Sequence, residues 1–264
     1  MGKYLKYFQV CFVNILAYKA DFTLSIAFNM IFFVIYFVLW KTIYMTSGTA
    51  EINSYSLSNT ITYYFITAII FRFNLDAAIY LGEEIWNGQL SNDLIKPWNV
   101  KAIHVFAALT DVGLTLLVSI PFFAIIYVFA HDYIVFPSLI NLLFFLVTLI
   151  LGFFLNLVFH FIFHSLTFFF GDQEANIKLI NYLVVFLAGA FFPLTFLPAY
   201  AKGIFETLPF RYLYDVPANI FIGKMSTTDI FYGWGQMILW TIILYFIFQF
   251  LFKKGLTKYT GIGR

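Results

Sequence analysis

Several residues in this chain have types and spacings suited to chemistry. His160 and His164 stand four apart, so on a helix they share one face, as paired metal ligands do. A zinc peptidase would carry Glu directly after the first histidine; Phe161 stands there, and Asn156 is the only polar neighbour on that face. Glu83 and Glu84 form an adjacent acidic pair like that of paired-glutamate metal hydrolases, without the arginine that would follow. The histidines with Glu83 or Glu84 define one hypothesis, an intramembrane metal-dependent hydrolase. The competing account is two histidines near a membrane interface, facing headgroups or a partner helix.

Arg72 and Asp76 lie at i and i+4 and can pair on a helical face, and Asp111 is a separate ionisable group in an apolar run. Charges buried in a membrane cost at least about 2.5 kcal/mol and tend to face a bundle interior or a wet path. These three residues therefore suit an ion-coupled secondary transporter or, equally, a structural ion pair close to one interface. A phosphate-cradling loop of the form G-x-x-x-x-G-K-[ST] is missing: Gly2-Lys3 and Gly223-Lys224 are followed by Tyr and Met and lack the upstream glycine. If ATP drives this protein, another chain binds it. Nothing forms a nucleophile–base pair or a nucleic-acid surface, and the single cysteine, Cys11, excludes an intramolecular disulfide framework and a multi-cysteine metal site.

The elements that must position these groups follow from composition. Of 264 residues, 62% are hydrophobic, 23% aromatic and 11% charged, too few charges to coat a soluble domain, which usually carries about 25%. The chain reads as an all-α membrane protein. A bilayer core of about 30 Å takes roughly 20 apolar residues per helix, and six spans are expected at 22–45, 59–81, 102–130, 137–170, 179–200 and 229–252. Continuously apolar runs, rather than alternating ones, argue against a barrel. Lys3, Lys6, Lys19, Lys96, Lys101, Lys178, Lys253, Lys254, Lys258 and Arg264 fall on one side, against Lys202, Arg211, Lys224 and the span-end Lys41 on the other. By the positive-inside rule both termini are expected in the cytoplasm, with Glu51, Asp132 and Lys202 outside.

Three further segments are richer than plain connections. Residues 1–21 carry Leu5, Phe8, Phe12 and Ile15 at helical spacing, with Lys3, Lys6 and Asn14 off that stripe, which suits an interfacial helix; a basic leader to the first span is the simpler alternative. Gly82–Lys101 holds Glu83, Glu84 and Trp86, then a turn signal at Asn87-Gly88 and a stop at Lys96-Pro97. A short cytoplasmic helix between them would gather Ile85, Leu90, Leu94 and Ile95 into one apolar face for a protein partner. Phe191–Lys224 is broken by Pro193, Pro198, Pro209 and Pro217 yet stays apolar between them, as short re-entrant helices at the outer side would.

These last two segments carry a family resemblance over essentially the whole chain. Residues 83–99, EEIWNGQLSNDLIKPWN, are similar to the I-x-x-G-x-L-S-x-x-L-[LI]-[KR]-P pattern of permease subunits of ABC-2 type transporters, in the bacterial six-span branch without a fused ATPase; Ile85, Gly88, Leu90, Ser91, Leu94, Lys96 and Pro97 fall on it. In the outer segment Phe192, Pro193, Leu194, Leu197, Pro198, Leu208, Pro209 and Phe210 match likewise. The resemblance implies one transmembrane domain, 1–264, in a dimer with an identical or related permease in the bacterial cytoplasmic membrane, docked on two cytoplasmic ATPase subunits. ATP and Mg would bind those subunits and no cofactor this chain. It implies contact with the ATPase through the N-terminal helix and through Glu83, Glu84, Ile85, Trp86, Gly88, Leu90, Leu94 and Pro97. It also implies an outer gate at Phe191, Phe192, Pro193, Pro198, Pro209 and Phe210. The cargo does not come with the resemblance.

Overall fold

The computed structural model describes residues 19–73, 79–97, 99–170 and 181–260. The N-terminal segment up to residue 18, Asp76 and the start of the fifth expected span lie outside the described residues. Helix α1 (Lys19–Ser47) leads into a two-stranded hairpin, β1 (Glu51–Ile52) and β2 (Tyr55–Ser56), and then α2 (Leu57–Phe73). Two short helices follow, α3 (Ile79–Trp86) and α4 (Leu90–Leu94), then the long α5 (Val100–Ala130) and α6 (Leu139–Ser165). Helix α7 covers described residues 181–187. Beyond it come α8 (Ala199–Thr207), a 3-10 turn at Pro209–Leu213, α9 (Asp215–Ile222) and α10 (Thr227–Leu256).

By length and composition, three stretches can cross a membrane: Val100–Leu117, Leu139–Phe168 and Thr227–Leu256; Ile31–Ser47 and Ser119–Tyr133 are shorter apolar helices. Local chemistry sets where the long helices begin. The side chains of Asn99, Ser138 and Ser226 each accept backbone N–H groups of the first turn, satisfying donors that a helix start leaves unpaired. The long helices alternate between two ends. One, the hairpin end, gathers the β-hairpin, the His131–Tyr133 turn and residues 188–226; the other gathers α3, α4, the Leu166–Phe168 turn and the end of α10.

Two features depart from the expected spans. The expected span 179–200 stops as a helix at residue 187. Ala190 N–H bonds to Val185 O at 3.2 Å and Gly189 N–H to Phe186 O at 3.3 Å, with Gly189 at φ +80°, a left-handed C-terminal cap that only glycine adopts cheaply. The chain then turns back on itself, so Phe191 and Phe192 stand on irregular backbone rather than inside a span. The hairpin is the second departure: Asn53 and Ser54 take φ of 47° and 67°, a two-residue mirror-image turn, and the register pairs Glu51 with Ser56 and Ile52 with Tyr55.

The core is largely aromatic. Helices α6 and α10 pack along most of their lengths, with Phe161 stacked on Phe248 at 4.9 Å and Trp234 Nε1–H donating to Thr148 at 2.8 Å. At their far ends α10 comes so close to the Leu166–Phe168 turn that a Cβ on Gly255 would lie 2.2 Å from the Phe168 ring. Helix α1 rests on α2 through Tyr36 stacked on Tyr64 at 4.6 Å. Lipid tails are as apolar as these rings, so close packing rather than water exclusion holds such contacts in a bilayer.

Candidate functional site

The α3–α4 connection is built from a helix, a glycine turn and a second helix. Gly88 has φ +75° and its N–H reaches Ile85 O at 3.4 Å, so the turn needs a residue without Cβ. Ser91 Oγ donates to Gly88 O at 2.7 Å, and Lys96 pairs with Asp93 at 2.7 Å where α4 ends. The single apolar face expected here is split. Leu81, Ile85 and Leu90 are buried within the chain, α3 lying against the end of α6, so Ile85 and Leu90 cannot serve a partner; Leu94 and Ile95 are exposed, Ile95 at 84%. Trp86 is half-buried and Pro97 exposed. Ser91 N–H donates to the Tyr259 hydroxyl at 3.3 Å, tying α4 to the segment after α10.

The two glutamates also part company. Glu83 points outward, and partial burial followed by the charge of Glu84 pushes its carboxyl above the usual range. Glu84 turns in, its Oε2 lying 3.1 Å from Nε2 of the buried His104 on α5, close but not aligned for a hydrogen bond. His104 is a residue that the sequence did not single out. His160 and His164 are buried, with ring centroids 5.9 Å apart, so they face neither headgroups nor an open partner surface. Among the described residues no group of three or more His, Cys, Asp or Glu is disposed to hold a metal ion. Arg72 is buried in the last turn of α2, whereas Asp111 lies half-buried on α5 with a hydrogen bond to Tyr80.

At the hairpin end, the residues expected to form a gate divide between two places. Phe191 lines an apolar cleft of about 410 Å³ whose walls include Phe33, Tyr36, Tyr64, Phe71 and Tyr182, from α1, α2 and α7. Phe192 packs edge-on against Phe186, and Pro193 is buried behind it. Pro198 starts α8 in the open, whereas Pro209 is buried and Phe210 stacks on Phe159 of α6 at 4.9 Å.

What fastens this segment is a polar node that sequence reasoning missed. The Tyr63 hydroxyl donates to Gly189 O at 2.6 Å and reaches Asp215 Oδ1 at 3.2 Å; Leu194 N–H donates to the same oxygen at 3.1 Å. The backbone N–H of Asp215 returns to Ala188 O at 3.1 Å. Burial raises the Asp215 carboxyl above the ordinary carboxylate range, opposed by the Leu194 N–H, the Arg211 charge and the Tyr63 hydroxyl. Beside it Tyr55 donates to Asn219 and Tyr64 to Phe191 O. The available signal was an unusual run of hydroxyls, Thr60, Thr62, Tyr63, Tyr64 and Thr67, inside an apolar stretch.

Fold and site thus define a helical membrane protein with a fastened cap at one end and a short helical connection at the other. A family model described as an ABC-2 family transporter protein matches residues 30–263, nearly the whole chain. The chain belongs to that family and is a membrane component of a transporter. No curated protein matches it.

Proposed function

We propose that this chain is the permease subunit of an ATP-driven exporter, working as a dimer with an identical or related permease and with separate cytoplasmic ATPase subunits. The observation that carries the reading is membership of the ABC-2 family in a chain with no phosphate loop of its own. ATP and Mg bind the partner ATPase, and this subunit performs no catalysis. The subunit has six spans: α1, α2, α5, α6, the helix ending at 187, and α10. It sits in the bacterial cytoplasmic membrane with both termini inside, so the α3–α4 end is cytoplasmic and the hairpin end faces out.

On this reading the ATPase docks on the outward surface of α3–α4, through Glu83, the exposed part of Trp86, Leu94, Ile95 and Pro97. Ile85, Gly88 and Leu90 shape that surface from beneath. The apolar cleft beside Phe191 suits a wall of the translocation path, and the segment pinned by Tyr63 and Asp215 suits its outer closure. The hydrolase reading gains nothing from the geometry: Glu84 approaches His104, and no metal-holding group forms among the described residues. Arg72 and Asp111 likewise supply no ion path on their own. Gentle solubilisation from native membranes, affinity capture of this chain and mass identification of its companions test the proposal. An ABC ATPase at about one per permease is expected; capture of the intact chain with none, at any detergent strength, overturns it.

A further inference from the structure

The hairpin end holds a second, very different cavity. A cleft of about 950 Å³ opens between the 53–55 turn, helix α8, the Pro209–Leu213 turn, α9 and the first turns of α10. Its walls carry Lys202, Arg211 and Lys224 facing Glu206, Asp215 and Asp229. The charges are equal in number, but the oxygens of Asp215 and Asp229 accept hydrogen bonds from the protein's own donors. Asp229 accepts the Ser226 hydroxyl at 2.6 Å at the start of α10. Asp215 takes the Leu194 N–H and the Tyr63 hydroxyl and is buried. Glu206 lies 3.8 Å from Lys202.

The cations are less satisfied. Arg211 meets Asp215 only at 4.0 Å, and among the described residues its buried Nε–H has no hydrogen-bond acceptor. Lys224 donates to the backbone carbonyl of Ser54 and stands 5.1 Å over the Tyr55 ring; among the described residues no carboxylate lies within 4.0 Å of it. An Arg fork and a Lys point charge on two sides of one cleft are the usual equipment for a phosphate group. The cleft reaches Gly233 and Gln236, the latter nine residues into α10 and hence roughly 14 Å along it. Tyr232, largely exposed, lines the cleft on α10 and gives this charged hollow an aromatic edge.

We infer that this cleft binds the phosphate-bearing headgroup of an amphiphile, with Arg211 and Lys224 holding the phosphate, Lys202 at the rim, and the apolar tail leaving past Tyr232. The inference rests on the membrane placement of α10 but not on the ATPase. It names a class of ligand, whether cargo on its way out or a resident lipid.

The test is calorimetric titration of the purified full-length chain in detergent with three probes: dihexanoyl phosphatidic acid, dihexanoylglycerol and inorganic phosphate. Phosphatidic acid is expected to bind at least tenfold tighter than either of the others. Arg211→Gln and Lys224→Gln are each expected to weaken it roughly tenfold or more, the loss typical of a hydrogen bond to a charged group. Because Arg211 also faces Asp215, Lys202→Gln supplies a variant at a half-exposed position that removes the charge without placing two acids side by side; it too should weaken binding, with a melting temperature changed little. Equal affinity for dihexanoylglycerol, equal affinity for inorganic phosphate, or full affinity in all three variants overturns the proposal. Since neither ATPase nor transport enters the measurement, failure here leaves the exporter reading standing, and failure to capture an ATPase leaves this one standing.

Discussion

Replacing Tyr63 with Phe removes one hydroxyl and leaves the ring, which keeps its edge contacts with Tyr55 at 6.5 Å and Tyr64 at 6.0 Å. The lost group holds two strands of the cap at once, the Gly189 carbonyl at 2.6 Å and the Asp215 carboxyl at 3.2 Å. A net hydrogen bond is worth about 1 kcal/mol, and one to a charged group about 1.5–3. One proton is shared here and Asp215 keeps its Leu194 N–H, so the docked state of residues 188–197 should lose about 2 kcal/mol. At 1.4 kcal/mol per factor of ten, its transient opening becomes roughly 30-fold more frequent. Hydrogen–deuterium exchange reads this directly, because the Leu194 amide is itself held by Asp215. Peptides covering 188–197 should exchange roughly 30-fold faster in Tyr63→Phe, with α6 and α10 unchanged. Proteoliposomes carrying the variant should also leak a small fluorescent solute. Exchange within twofold of the native rate would show that packing alone docks the cap, and the latch argument would fail.

Asp replacing Leu94 and Ile95 together should reduce ATPase co-capture at least tenfold while the permease inserts normally, because both side chains are exposed; undiminished capture would move the docking surface elsewhere. Leu90→Ala should instead cost about 2–5 kcal/mol of stability, the usual cost of truncating a buried leucine, seen as a lower melting temperature. Gly255→Ala drives a methyl into the Phe168 ring and should destabilise by about 1–3 kcal/mol, measured by thermal unfolding in detergent. With Cys11 replaced by Ser, an impermeant thiol reagent should label a cysteine at 202 in intact cells and leave one at 258 unlabelled; the reverse pattern inverts the topology.

The long apolar runs could be read because their signal, charge-free apolar length, is local, and so is the glycine turn at Asn87-Gly88 in the connection. The caps Ser138 and Ser226 that start α6 and α10 are equally local, but apolar length alone does not point to them. What escaped was information carried between distant segments. Tyr63 meets Gly189 and Asp215 across more than a hundred residues, and nothing near residue 63 announces that partner. The two-residue hairpin escaped because Asn53-Ser54 lacks the glycine that usually marks a mirror-image turn. Ile85 and Leu90 were grouped with Leu94 and Ile95 on apolar type alone; which way each faces depends on the glycine-reversed path between α3 and α4 and on the end of α6 beneath it. The end of α7 at residue 187 followed from Gly189 in a left-handed cap, whereas the apolar run by itself continues to Ala201.

Helix α10 lines the charged cleft with Asp229, Tyr232, Gly233 and Gln236 at its start and meets the Leu166–Phe168 turn at its far end, so one rigid element joins the two ends. The Phe161–Phe248 stack sits near its far end: Gly255 lies seven residues beyond, about 10 Å, and Asp229 nineteen residues before, about 28 Å. Helix α6 lies along most of that length and is tied to it near Asp229 by the Trp234–Thr148 hydrogen bond, so a push at Gly255 would carry the two helices together toward the cleft. Phe168 presses on Gly255 so closely that no side chain fits between them, so little of such a push would be lost in slack.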